Sequence, residues 1–409
     1  MEVVDILVRI LTYNDIDREE WSALVKASAT GTWFQTPEAY EFFASMPELF
    51  KPFVVGLTCD PAGAQTQLRA VCVGYVTVEK SPLKQFLTRR AIIIGGPALA
   101  DDASSEEVIA LLEAVKTKTR NLQSSDDDLP SIDPQSARKQ VSGQTIAQSC
   151  AAGAESQQDS SQKHASLTKN SKNIFHRYAP IYIETRNFND YSRWIDAFAS
   201  AGFSYKAHLN FHVDCTDKEA TWERLSENRR RQVRKAQATV ECLTNEGISE
   251  LEVQEWYEIL AELYRTKVKT PLWPVEFFLE AYRQGVGKFL LVKHEGKVIG
   301  GSMVVMSERV KELGNEGTVY EWFECGLNAE YKEQYPSVMA TWAGMQLAQE
   351  TGCSRYDMMG AGEPGVPYGV RDFKSEFGGE LVEHGRFLCV NKPMLYRLGK
   401  LGVKILKRK

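Results

Sequence analysis

The stretch Pro271–Glu308, "PLWPVEFFLEAYRQGVGKFLLVKHEGKVIGGSMVVMSE", repeats the plan of an earlier one that starts at Trp33 as "WFQTPEAYEFFASMPELFKPFVVGL" and continues at Leu68 as "LRAVCVGYVTVEK". Each holds an aromatic residue, then a proline-initiated helix with paired phenylalanines, Phe42 and Phe43 or Phe277 and Phe278. Each continues into two β-rich runs, the second carrying glycine, Gly74 in one and Gly300 and Gly301 in the other. Runs of β-branched and aromatic residues bounded by turn formers read as a hairpin. Two such units in one chain predict two copies of one α/β fold, joined near residues 205–215.

Working outward, the alternation of strand and helix continues. "AIIIGGPAL" from Ala91 reads as a strand and "SSEEVIALLEAVKTKTR" from Ser104 as a helix with early glutamates. "APIYIETRN" from Ala179 is a strand, "DYSRWIDAFASAG" from Asp190 a helix stopped by Gly202, and "YKAHLNFHVDC" from Tyr205 another strand. Beyond the second hairpin come the strand "VYEWFECGL" from Val319, the helix "YPSVMATWAGMQLAQETG" from Tyr335 and the strand "SRYDMM" from Ser354. From Asn121 to Asn173 there is no aromatic residue, and Ser, Gln, Asp and Ala dominate. Such a segment cannot bury enough apolar surface to offset chain entropy, so 121–173 is expected to be a disordered insertion. The expected domains are therefore 1–120 with 174–205, and 206–390. A helix over 391–409 would pack on the first of them.

Composition narrows the class. The chain has 409 residues, 43% hydrophobic and 25% charged, the mix of a soluble globular protein of two domains. Its net charge of −5 argues against a general nucleic-acid coat. The start, with Glu2 and Asp5, does not read as a signal peptide, and no apolar run approaches the roughly 20 residues needed to span a bilayer. Eight scattered cysteines without a C-x-x-C pair fit reduced thiols in the cytoplasm. His208 and His212, four apart on a strand, would lie roughly 13 Å apart, too far to share a metal. No metal or cofactor is expected.

Basic clusters are the first candidates for chemistry. "ENRRRQVRKAQ" puts Arg230 with Arg234 on one helix face and Arg231 with Lys235 on the next. That strip would meet a phosphate, an RNA or a membrane, or be a solvated face paired with Glu223 and Glu227. "YRTKVKTPLWP" places Arg265 and Lys267 at a helix end beside Trp273, a candidate phosphate or sugar site or simple dipole partners. The terminal helix has seven basic residues from Lys392 onward and no acid, which suits packing on the first domain or lying on an anionic membrane. No P-loop, nucleophile elbow or Rossmann fingerprint occurs, and no glycine-rich pyrophosphate cradle opens a helix.

Taken in order, "TWFQTPEAY", "LSENRRRQVRKA", "GKVIGGSMVV", "YPSVMATWAGMQLAQETGCSRYDMMGAG" and "FKSEFGGELVEHGRF" resemble the FemA/FemB/FemX-type aminoacyltransferases, the FemAB family of peptidoglycan bridge-forming enzymes. The resemblance covers nearly the whole chain outside the insertion. It implies two tandem GNAT-like domains that transfer an amino acid from aminoacyl-tRNA to an amine of a UDP- or lipid-linked peptidoglycan precursor. Separately, a cytoplasmic monomer able to make peripheral contact with the inner face of the membrane is expected. In the family the lysine of F-K-x-x-F-G-G lies in the active site; here that is Lys374 behind Phe373. An oxyanion forms when an amine attacks an aminoacyl ester, and a fixed cation there contributes roughly 3 kcal/mol. Arg265 and Lys267 fall where the family places a phosphate-binding arginine. Tyr320, Trp322 and Asp357 would hold the acceptor or take the amine's proton, and Arg186 stands, with Glu184, where relatives often carry Asp-Pro. An N-acyltransferase of the same fold using acyl-CoA or an acyl carrier, and a non-catalytic anion-binding module, are the alternatives.

Overall fold

The computed structural model describes residues 7–60, 67–122, 179–308 and 317–406. The expected insertion lies outside the described residues from 123 onward, while Ser105–Asn121 is a helix closed at its start by a Ser104–Glu107 capping box.

The chain first lays down β1 (Leu7–Leu11), β2 (Phe50–Asp60), β3 (Gln67–Thr77), β4 (Ala91–Gly95), β5 (Ala98–Leu99), β6 (Tyr182–Asn187) and β7 (Ser204–Lys206). It then forms β8 (Leu209–Asp214), β9 (Glu241–Thr244), β10 (Lys288–His294), β11 (Lys297–Ser307), β12 (Thr318–Gly326), β13 (Arg355–Gly360) and β14 (Glu380–Glu383), and returns as β15 (Arg386–Val390). The first sheet runs β1-β2-β3-β4-β6-β15-β7, with β5 on β3, and the second runs β9-β10-β11-β12-β13-β8-β14. The two orders match strand for strand. In both, one parallel pair, β4 with β6 or β12 with β13, interrupts antiparallel neighbours.

One strand corrects the sequence reading. β15 falls within 206–390, expected to be the second domain, yet it pairs with β6 and β7 of the first sheet. β8 fills the matching place in the second sheet, between β13 and β14. Sequence patterning could not reveal this, because a strand's period fixes which face it buries and not which edge it joins.

The domains share one core. The helices Pro37–Ala44 and Val275–Arg283 are the repeated proline-started elements, and their equivalent phenylalanines, Phe42 and Phe277, touch with centroids 5.3 Å apart. Around them Phe50 packs on Trp273 at 4.7 Å and Phe34 on Trp322 at 4.9 Å, in one buried cluster that spans both sheets. The Pro336–Glu350 helix is buried nearly all round, because the second sheet covers one side and the Glu227–Ala236 helix another. The terminal helix Pro393–Leu406 lies against the first domain: Tyr396 takes a hydrogen bond from Lys206 Nζ at 2.6 Å and meets Tyr182 at 5.4 Å. Replacing Phe277 by Ala removes the centre of the shared core, and chemical denaturation should record a loss of about 3–5 kcal/mol.

Candidate active site

The site grows from a place where two strands part. β12 and β13 pair in parallel only from Thr318–Tyr320 with Arg355–Asp357, so the carbonyls of β13 beyond that point lack strand partners on this side. Lys374, from the short helix Gly369–Ser375, fills the gap: its Nζ donates to Met358 O and, at 3.0 Å, to Gly360 O. A lysine ammonium has three donors, so one remains. Gly378, with φ +74°, lets the chain turn immediately after this helix where an added Cβ would lie 2.3 Å from Arg224 O, and β14 follows.

Carboxylates surround the ammonium. A bulge at Trp322, where the β11–β12 register shifts, turns Glu321 and Glu324 onto the same sheet face. Glu321 is buried and accepts hydrogen bonds from Tyr356 OH at 2.7 Å and Thr341 Oγ1 at 3.0 Å. Burial raises its pKa, and burial together with the charge of Glu321 raises that of Glu324 to about 8. Burial lowers the pKa of Lys374, while Glu321, Asp357 and Glu324 favour its charged form.

Asp357, expected as a catalytic group, is fully buried and anchors a second bulge. The β13–β8 register shifts between Asp357 and Gly360, and Met359 takes a left-handed φ of +58°. Its N–H is held by Asp357 Oδ1 at 2.7 Å. Burial works against the charge on Asp357, but His212, with Nε2 3.3 Å from Oδ2, together with Arg355 and the Met359 N–H, outweighs it and the carboxyl pKa is lowered. Asp357 thus holds the backbone that Lys374 binds.

A cavity of about 450 Å³ opens between the domains beside this backbone. Gly360 and Met359 form part of its wall, with Arg90, Arg186 and Arg386, His208 and Asn210, and the aromatic residues Tyr75, Tyr264, Trp273 and Trp322. Glu184 pairs with Arg186 at 3.0 Å and Arg386 at 3.3 Å, so one carboxylate meets two guanidiniums. Arg90 Nε and Asn210 Nδ2 are buried without partners, and Asn210 is only 2% exposed. Arg386 donates to His208 Nε2 at 2.9 Å, which puts the imidazole proton on Nδ1; burial and that guanidinium push the His208 pKa down to about 4. The wall therefore carries excess positive charge and spare donors, suited to an anion flanked by an apolar or ring-bearing group.

The structure gathers some expected residues here and sends others elsewhere. Arg186 and Trp322 line the cavity. Tyr320 lines a different polar cleft of about 620 Å³ between the domains, together with His212 and Arg355. His208, just before β8, and Asn210 and His212 on it follow at alternate positions and so link the two clefts. Arg265 is exposed and paired with Glu262 at 2.6 Å, and Lys267 is also exposed; their neighbour Tyr264 faces the cavity instead. In the basic helix, Arg230 donates to Glu223 O and Leu225 O, Arg231 to Asn228, Arg234 stacks on Trp222, and Lys235 pairs with Glu333. Its buried member is Arg229, which lies over Phe373 at 4.5 Å and Phe377 at 5.1 Å and so clamps the helix that carries Lys374. Phe373 thus faces Arg229 and is not among the residues that line the cavity. Sequence reading missed Arg90, Arg386, Asn210 and the Glu321–Glu324 pair. Asn210 stands in "HLNFH" and Arg386 in "FKSEFGGELVEHGRF", stretches singled out for other residues. Among the described residues no cluster of His, Cys, Asp and Glu could hold a metal ion.

Residues 314–404, which include Lys374 and all of β12, match the model of the FemAB family. A crystal structure of FemX shares the fold, with a TM-score of 0.60 and 12% identity over 95% of this chain and 99% of that one. The C-terminal domain of a putative lysylphosphatidylglycerol synthetase from Agrobacterium fabrum aligns at TM-score 0.47 and 12% identity over 95% of each chain. L-PGS from Bacillus licheniformis aligns at 0.45 and 10% over 96% and 97%. No curated protein matches the sequence. The FemAB resemblance is borne out over residues 314–404, and the fold is shared with FemX.

A stability test follows from Glu324. Its folded pKa of about 8 exceeds the ordinary 4.5, so stability is fully present below pH 4.5 and is lost as pH rises toward 8. Glu324→Gln should flatten that slope, with thermal midpoints measured at pH 5 and pH 8; an unchanged slope would show that Glu324 ionises normally.

Proposed function

We propose that this protein transfers an amino acid from aminoacyl-tRNA to an amine of a UDP- or lipid-linked peptidoglycan precursor. The observation that carries the reading is the interdomain cavity, where Arg90 and the Glu184-paired Arg186 and Arg386 stand beside the backbone held by Lys374. A precursor brings phosphates, which the guanidiniums pair with, and a sugar or uracil ring, which Trp273, Trp322 and Tyr264 pack against. The FemAB match over the segment that contains Lys374 supports the same acceptor class.

In the proposed step the acceptor amine attacks the ester carbonyl and a C–N bond forms. The ester C–O bond then breaks, and the tRNA ribose hydroxyl leaves with a proton. The remaining Lys374 donor stabilises the oxyanion between these events. Asp357 contributes through the bulge at Met359, and its ionised carboxyl favours the charged ammonium. The first turn of the Pro336–Glu350 helix offers little to a CoA diphosphate: Pro336 has no N–H, and that of Ser337 is taken by Asn328 Oδ1 at 3.2 Å. This favours the aminoacyl donor over acyl-CoA.

Transfer of a labelled amino acid from charged tRNA to a UDP-linked precursor tests the reading directly. Lys374→Met should lower kcat by on the order of a hundredfold, with circular dichroism unchanged. Arg186→Ala should chiefly raise KM for the precursor. Full activity in the Lys374 variant would remove that residue from the chemistry, and transfer from acyl-CoA but not from tRNA would replace the donor.

A further inference from the structure

Two short helices that meet on the first domain form a surface the transferase reaction does not use. On Pro82–Thr88, Leu83 is 68% exposed, and Phe86 and Leu87 stand out beside it. On the terminal helix Pro393–Leu406, Met394 is 79% exposed and Leu398 62%, with Leu401 also exposed. The helices touch, and Lys392 Nζ sits over the Phe86 ring at 5.2 Å. Six large apolar side chains thus face water on adjoining elements, more than scattered surface leucines account for.

The charge around this ridge has one sign. From Lys80 to Arg90 and from Asn391 to Lys409 there is no acid, while Lys80, Lys84, Arg397 and Lys400 are exposed along it and Lys404, Lys407, Arg408 and Lys409 follow in sequence. Beside Lys392, Arg89 is only 7% exposed, with Nε and Nη2 unpartnered. A protein partner of ordinary composition would have to place its own acids around an apolar strip. An anionic bilayer offers both at once, acyl chains below and phosphates above.

We propose that this ridge docks the protein on an anionic membrane surface, with Leu83, Phe86, Leu87, Met394, Leu398 and Leu401 entering the headgroup boundary. Arg90, which directly follows the first helix, also lines the interdomain cavity, so docking brings that cavity to the bilayer. An acceptor carried on a lipid would then be met where it resides. The docking itself does not depend on the identity of the acceptor.

The test is co-sedimentation of the full chain with vesicles of phosphatidylglycerol and phosphatidylcholine in equal parts, against phosphatidylcholine alone. Binding to the anionic vesicles that weakens with salt is expected, and Leu83→Glu with Leu398→Glu should reduce it roughly tenfold or more. The same double variant should keep its thermal midpoint and its transfer to a soluble UDP-linked precursor, which separates lost docking from lost catalysis. No binding to anionic vesicles, equal binding to both kinds, or undiminished binding by the variant would each overturn the proposal. So would a concentration-dependent dimer that the variant abolishes, since the ridge would then belong to a second copy of the chain.

Discussion

The contact between Phe42 and Phe277 governs much of this molecule. The two residues occupy the same position in two copies of one unit, and their meeting joins the two sheets through one shared aromatic cluster. The clefts between the sheets depend on it, because their walls come from both domains and have no fixed separation without that packing. Trp273 and Trp322 serve twice, as members of the aromatic cluster and as walls of the charged cavity. Rigidity in the core thus becomes geometry at the site.

The site illustrates how irregular backbone is put to use. Parallel strands β12 and β13 separate after three paired residues, a bulge at Trp322 turns two glutamates to one face, and another bulge holds Met359 in a left-handed conformation. Each departure would be costly alone, since separated strands leave carbonyls unpaired and a left-handed methionine is strained. Lys374 satisfies the carbonyls, and Asp357 holds the bulge. The cation is therefore fixed by the backbone before any substrate arrives, which is the condition for strong electrostatic stabilisation of a developing charge.

Much of the architecture was legible in the chain. Paired phenylalanines after a proline, followed by a glycine-bearing hairpin, disclosed the repeat, and both sheets follow one strand order. Lys374 stood out by its motif, and Trp322 and Arg186 were named before the cavity was seen. Less legible were the residues whose role depends on distant partners. Arg90, Arg386 and Asn210 lie on three separate strands or their ends, and they become a set only where the fold brings those strands together. The run of arginines misled for a related reason: its members are largely spent on helix capping, ring stacking and pairing with Glu333, and only the tertiary fold supplies those partners.

By itself the sequence determined the two α/β units, the polar character of 121–173, the basic amphipathic end and the lysine motif, because these rest on local periodicity and composition. The tertiary structure decided that β15 returns to the first sheet, that Arg229 clamps the lysine-bearing helix, and that three arginines line one cavity, two of them paired with Glu184. Those outcomes depend on strand edges and long-range packing. A residue's pattern along the chain fixes the face it presents, and only the fold fixes what that face meets.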